Sequence, residues 1–161
     1  MNDLRKPASR LYSISFLVCG IWLVGLGLYF MFIRPALLPE DLRYMQVSAR
    51  DLQDIVPGLQ RWTQRVFMVM GGFMAASGLL TIKVALHSDA VRTKFSQAVL
   101  AIAGVLTVGL MSVTNFQLNS DFKWVLLIPP LVWLFGLLVN ASFRTRNATS
   151  EISTSRTRDH Q

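Results

Sequence analysis

The polar insert at residues 34–65 holds the side chains most able to do chemistry. Its acidic residues are Glu40, Asp41, Asp51 and Asp54. Several carboxylates brought together could hold a hard cation such as Ca²⁺, but their spacing matches no calcium-binding loop. Helix capping and pairing with neighbouring arginines explain them more simply, so the sequence predicts no metal site.

Other reactive residues are few and badly placed for catalysis or cofactor binding. Cys19 is the single cysteine, which excludes an internal disulfide or a dithiol pair. The two histidines, His87 and His160, lie beyond the hydrophobic runs, where they cannot serve as axial ligands of a haem inside a bundle. No hydrophobic run contains a carboxylate for proton coupling, or a base to activate a nucleophile. We therefore predict no catalytic residue, no cofactor and no enzyme activity.

Four hydrophobic runs dominate the rest of the chain and predict membrane-spanning helices. They cover residues 11–33, 66–86, 95–115 and 124–143. The first is free of charge and would be about 34 Å long as a helix, enough to cross a hydrocarbon core of about 30 Å. It is too long for the core of a cleaved signal peptide. The predicted fold class is all-α, a four-transmembrane-helix up-down bundle.

The distribution of basic residues predicts the organisation and orientation of the chain. The net charge is +7, but the basic side chains flank the hydrophobic runs and form no aromatic-interleaved patch, which argues against nucleic-acid binding. The positive-inside rule favours a cytoplasmic segment at residues 1–10 and a membrane domain at 11–143 with its loop 34–65 outside. Residues 144–161, rich in Ser, Thr and Arg, predict a disordered cytoplasmic tail.

Two short helices are predicted within the outer loop. Pro39 suits the first position of a helix, and Glu40 and Asp41 then favour its first turn. Ser48 and Asp51 have the spacing of a capping box, which begins a second helix. We expect both helices to lie over the end of the bundle as a cap, although a solvated connector would have the same sequence.

Small residues and prolines recur at one apparent depth, about six residues in from the loop side of each span. They are Gly25, Gly27, Gly71, Gly72, Gly109, Pro129 and Pro130. Glycine permits close approach of helices and proline bends a helix. Two interpretations stay open. One is a tight waist in an ordinary bundle. The other is a shallow outward-facing vestibule above that waist, roofed by the segment with Pro39, Glu40, Asp41 and Arg43, whose wall includes the carbonyls of Val125 and Leu126 freed by the prolines.

Two further expectations concern helix contacts. The small residues of span two, including Gly71 and Gly72, predict a face packed against another span, so that Gly72→Leu should lower stability in detergent. Trp22 and Trp133 lie near mid-membrane by count, where an indole N–H needs an acceptor. We expect both to point into protein.

Two segments resemble a known group of proteins. The first is similar to a segment found after the first span of small uncharacterised bacterial four-helix membrane proteins; it is Leu37-Leu38-Pro39-Glu40-Asp41-Leu42-Arg43-Tyr44-Met45. The second, residues 115–124, is also similar to these proteins and ends in Ser120-Asp121-Phe122-Lys123-Trp124. The resemblance covers about residues 20–140. It implies a bacterial cytoplasmic (inner) membrane location and carries no activity.

The sequence therefore leaves two hypotheses for the function. The first is a non-catalytic accessory or scaffold protein, favoured by the lack of buried ionisable groups in the spans. The alternative is a transporter or channel for a small or lipid-like molecule through the vestibule, suggested by Pro129 and Pro130 because interrupted helices line transporter sites. The expected partners are the lipid bilayer and other membrane proteins or a second copy of the chain.

Overall fold

The described part of the chain is built from helices alone. The computed structural model describes residues 5–87 and 93–142, with side chains from Arg10 onward. The helices are α1 (Arg5–Phe32), α2 (Pro39–Met45), α3 (Ala49–Ile55), α4 (Leu59–Leu86), α5 (Lys94–Gly104), a π-helical turn (Val105–Gly109), α6 (Leu110–Gln117) and α7 (Ile128–Ser142). The predicted segment 144–161 lies outside the described residues, and of the predicted segment 1–10 the described residues 5–10 form the start of α1.

Three helical segments are long and apolar enough to cross a membrane. They are residues 10–32 of α1, the whole of α4, and the continuous run Lys94–Gln117 that joins α5, the π-helical turn and α6. The all-α fold is thus confirmed, and so are three membrane-capable helices. α7 is shorter than these, at about 22 Å.

The structure differs from the prediction at the start of the fourth span, which was expected at residue 124. Residues 121–127 form turns, and the helix begins only at Ile128. Pro129 and Pro130 therefore occupy the first turn of α7, where a missing N–H breaks no helical hydrogen bond. The Val125 carbonyl is not free, because it accepts the N–H of Ile128 at 3.2 Å. The expectation of a helix interrupted in its middle is wrong, since both prolines lie at the helix start, and neither could donate the N–H that a helix interior requires.

α1 and α4 pack against each other through paired glycines. A Cβ built on Gly71 would lie 2.5 Å from the Gly27 carbonyl oxygen, and one on Gly78 would lie 2.7 Å from that of Gly20. Position 20 thus faces 78 and 27 faces 71, so the two helices run antiparallel. Because glycine has no side chain, the two backbones touch directly along this line.

The prediction that the small residues of α4 pack against another helix is confirmed for Gly71 but not for Gly72. Gly72, next to Gly71, would bring a Cβ within 4 Å of no other atom, and Gly25 in α1 is equally open. One residue is 100° of rotation on a helix, so Gly72 faces away from the contact that Gly71 makes. The structure therefore contradicts the expectation that Gly72→Leu disrupts packing.

The core lies toward the far end of the bundle, away from α2 and α3. From α1 it takes a helical stripe with Phe16 and Cys19, and from α7 it takes Trp133. The Trp133 indole donates to the Leu100 carbonyl at 3.0 Å and meets the Phe16 ring edge-on, at 5.0 Å between centroids. The indole also lies directly on Gly104. Trp133 thus ties α7 to both α1 and α5, and it points into protein as expected.

The glycines and prolines expected in one layer are spread over about two helical turns. Gly27 and Gly71 share one level, but the Cys19 thiol donates to the Pro129 carbonyl at 3.5 Å. Cys19 lies about two helical turns, roughly 12 Å, from Gly27 along α1. The prolines therefore lie deeper than the glycine contact.

Candidate ligand-binding cavity

A cavity of about 690 Å³ occupies the loop end of the bundle, beneath α2. Its walls are the second half of α1, residues 67–77 in the middle of α4, the π-helical turn with α6, and residues 118–126. Along α1 it extends from Trp22 to Arg34, about 18 Å. This volume is within the range of ligand pockets, about 300–1,000 Å³.

The walls are mainly apolar and open on one side. Leu26, Met74 and Leu110 are typical of the lining. Phe73 of α4 and Leu106 of the π-helical turn also line the cavity, yet their side chains are 72% and 64% exposed. The cavity therefore opens through the gap between α4 and the third long helix, at the depth of their apolar side chains.

The π-helical turn forms part of this wall. Such turns, with one residue more than an α-helical turn, occur often at functional sites. The Thr107 hydroxyl lines the cavity but donates to the Ala103 carbonyl at 2.6 Å, within its own helix. The turn thus presents Leu106 and Thr107 to the cavity while its polar atom stays satisfied.

The polar end of the cavity is built around Arg34, whose side chain is only 9% exposed. Its guanidinium donates to the Asp41 carboxylate at 3.2 Å and lies 3.7 Å from the centre of the Phe67 ring. The Phe30 ring is also close, at 5.1 Å. A cation held against aromatic faces away from water is stabilised by up to about 2 kcal/mol. Arg34 is therefore a fixed group, neutralised by Asp41.

Glu40 is the second charged group of the roof, and it is buried to 6% exposure. Its Oε1 accepts a hydrogen bond of 3.0 Å from the hydroxyl of Ser120, which is itself 2% exposed. Within residues 5–87 and 93–142 the ion pairs are Arg34–Asp41 and Arg43–Asp121. Glu40 thus has no cationic partner in the described part of the chain.

The short helix α2 is fixed over the cavity from both sides. Asp41, besides pairing with Arg34, accepts the Leu38 N–H at 2.9 Å and so caps the start of α2. On the other side Arg43 pairs with Asp121 at 3.1 Å, across the exposed surface. α3, by contrast, contains no buried residue. Of the two short helices predicted as a cap, α2 alone closes the bundle.

The deep end of the cavity is lined by Trp22, Ser77 and Thr107. The Trp22 indole nitrogen is buried and has no hydrogen-bond partner among the described residues, which is unusual for a buried donor. Trp22 thus points into protein, as expected, but lies beside the cavity instead of in the core with Trp133.

Only two of the candidate site residues chosen from the sequence line the cavity, namely Glu40 and Asp41. Pro39 is the first residue of α2 and Arg43 is in its last turn. The others lie outside the cavity: Gly27 and Gly71 in the α1–α4 contact, Gly25 and Gly72 with no close neighbour, Gly109 at the end of the π-helical turn, and Pro129 and Pro130 in the first turn of α7. Val125 and Leu126 do line it.

Sequence reasoning did not select Arg34 or Ser120 as site residues. Arg34 counted only as one of the basic residues flanking a span, and Ser120 only as part of a segment that carries the resemblance. One signal did point to Ser120. The two segments on which the resemblance rests meet in the structure, through Glu40 with Ser120 and Arg43 with Asp121.

Comparison of the chain with protein-family models, curated proteins and solved structures found no match.

Proposed function

We propose that this multi-pass membrane protein binds a small lipid-like molecule in the cavity beneath α2. The observation that carries the proposal is the form of the cavity, about 690 Å³ with apolar walls and a roof of charged side chains. A molecule with an extended apolar part and one polar end matches that gradient, because apolar surface gains free energy from burial and polar groups need partners.

The open side supports entry from the bilayer. The gap between α4 and the third long helix is bordered by exposed apolar side chains such as Phe73 and Leu110. If these helices span the membrane, the gap faces the acyl chains and not water. α2 lies over the loop end as the expected roof, so the gap between the helices is the wider opening. A lipid-like substrate therefore fits better than a water-soluble one.

We also propose a membrane topology for the chain. α7 and the turns before it complete a fourth crossing, both termini are cytoplasmic, and α2 lies on the outer side of a bacterial cytoplasmic membrane. The basic residues flanking the spans support this orientation.

A non-catalytic accessory or scaffold role is the second candidate, and the same open gap favours it. α1 and α4 are in direct backbone contact, whereas the cavity separates them from α6. A helix of a partner protein could fill this groove. Such a partner would exclude a lipid-like ligand, so the two functions are distinguished by what occupies the gap.

Photolabelling tests the proposal. The protein in phosphatidylcholine nanodiscs is exposed to a dodecanol probe with a diazirine at the end of its chain. Ser77→Phe fills the deep end of the cavity and should lower labelling of cavity residues severalfold. Ala76→Phe, an exposed neighbour that does not line the cavity, should leave it unchanged. Equal labelling of wild type and Ser77→Phe, spread over exposed positions, would refute ligand binding in the cavity.

A further inference from the structure

We infer that the polar end of the cavity selects a cationic headgroup, and that Glu40 is the residue that binds it. The inference rests on the proposed function and specifies its ligand as a lipid-like molecule with an ammonium group. The observation behind it is a charge imbalance in the lining.

Among the described residues, the charged lining consists of one cation, Arg34, and two anions, Glu40 and Asp41. Arg34 and Asp41 neutralise each other at 3.2 Å, and two aromatic rings hold the guanidinium in place. One negative charge remains on Glu40. The described lining therefore carries a formal charge of −1.

The surroundings of Glu40 leave that charge uncompensated. Its one hydrogen-bond partner in the described part of the chain is the neutral hydroxyl of Ser120, on Oε1. Buried carboxylates are normally paired with a cation or several donors, because removing the charge from water costs several kcal/mol. An ammonium group would supply both the missing charge and charge-assisted hydrogen bonds.

Aromatic residues near the roof support the same headgroup. Tyr29 and Phe122 line the cavity in addition to the two rings that hold Arg34. Aromatic faces attract cations through their quadrupole, and aromatic cages recognise quaternary ammonium ligands. An anionic headgroup would meet Glu40 instead and would have to displace Asp41 from Arg34.

A purely structural role for Glu40 makes a different prediction. If Glu40 served only to join α2 to Ser120, the isosteric Glu40→Gln would keep the contact through its amide oxygen and no headgroup preference would exist. Headgroup selectivity is therefore the measurement that distinguishes the two roles.

The experiment is a displacement series with three compounds of equal chain length. Dodecylamine, dodecanol and dodecanoate each compete with the dodecanol photoprobe in phosphatidylcholine nanodiscs, with concentrations corrected for uptake by empty discs. We expect dodecylamine to displace the probe at about tenfold lower concentration than the other two, as charge-assisted hydrogen bonds predict. Glu40→Gln should abolish that preference. Asp54→Asn removes the same charge from an exposed residue outside the cavity and should preserve it.

Each outcome separates this inference from the proposed function. Equal displacement by all three compounds, or preference for dodecanoate, would overturn the headgroup assignment and leave the lipid-like ligand in place. Failure of every compound to displace the probe, together with unchanged labelling of Ser77→Phe, would refute the ligand itself. A preference for dodecylamine that survives in Glu40→Gln, with thermal stability unchanged, would show that another group binds the cation.

Discussion

Adding one methyl group at Gly71 should destabilise the protein, whereas the same change at Gly72 should not. A Cβ at Gly71 would lie 2.5 Å from the Gly27 carbonyl oxygen and 2.9 Å from the Met31 amide nitrogen, where ordinary contact begins at 3.4 Å. Both obstacles are backbone atoms, which cannot rotate aside. α1 and α4 must therefore separate by about 0.5–1 Å. Each atomic contact across the interface then loses about a quarter to a half of its dispersion energy.

The magnitude follows from two opposing terms. Overpacking of a close contact typically costs about 1–3 kcal/mol, and replacing a helical glycine by alanine returns about 0.5–1 kcal/mol. Gly71→Ala should therefore lower the free energy of unfolding by about 1 kcal/mol, because the two ranges combine to about 0–2.5 kcal/mol. Gly72→Ala gains the second term without the first, because its Cβ would meet no atom within 4 Å. It should be neutral or stabilising by up to about 1 kcal/mol.

Thermal unfolding in detergent, followed by near-ultraviolet circular dichroism, measures the difference between these two variants. Gly27→Ala tests the same contact from the other helix, and the double variant with Gly71→Ala should cost less than the two single costs combined, because both disrupt one interface. Equal midpoints for Gly71→Ala and Gly72→Ala, or the reverse order, would refute the glycine contact.

Three more predictions test other parts of the structure. Trp133→Phe removes the hydrogen bond to a backbone carbonyl and should cost about 1–2 kcal/mol in the same assay; Trp22→Phe, whose indole N–H has no partner, should cost less, and the reverse order would contradict the packing. Arg34→Gln should release α2 and speed proteolysis within residues 34–58, and an unchanged rate would show that Asp41 does not hold this helix. A cysteine at position 48 should react with an impermeant reagent in intact cells while one at position 150 does not; the opposite result would reverse the proposed topology.

Much of the fold can be predicted from the sequence because the membrane imposes simple rules. Long charge-free runs must become helices, since a bilayer offers no partner for a bare backbone. The start of α2 at Pro39 also follows from local chemistry, and so does the Ser48 cap of α3, whose hydroxyl accepts the Asp51 N–H at 3.1 Å. These features depend on residues close together in the chain.

The candidate site could not be predicted in the same way, because it depends on contacts between distant residues. The sequence indicated that no carboxylate lies within the spans, which is correct for the runs themselves. The fold nevertheless buries Glu40 by laying α2 across the end of the bundle against Ser120. The interpretation of Pro129 as a mid-helix residue was wrong for a related reason: residues 124–127 were counted as helix, whereas they form turns and α7 begins at Ile128.

Native mass spectrometry of the protein extracted gently from its own membrane tests the central claim most directly. We predict a non-covalent adduct of one lipid-like molecule per chain that survives purification of the wild-type protein and of Ala76→Phe. The adduct should be lost from Ser77→Phe, whose longer side chain occupies the deep end of the cavity. A wild-type chain that carries no such molecule, or an adduct equally abundant in Ser77→Phe, would contradict the proposal that this cavity binds a ligand.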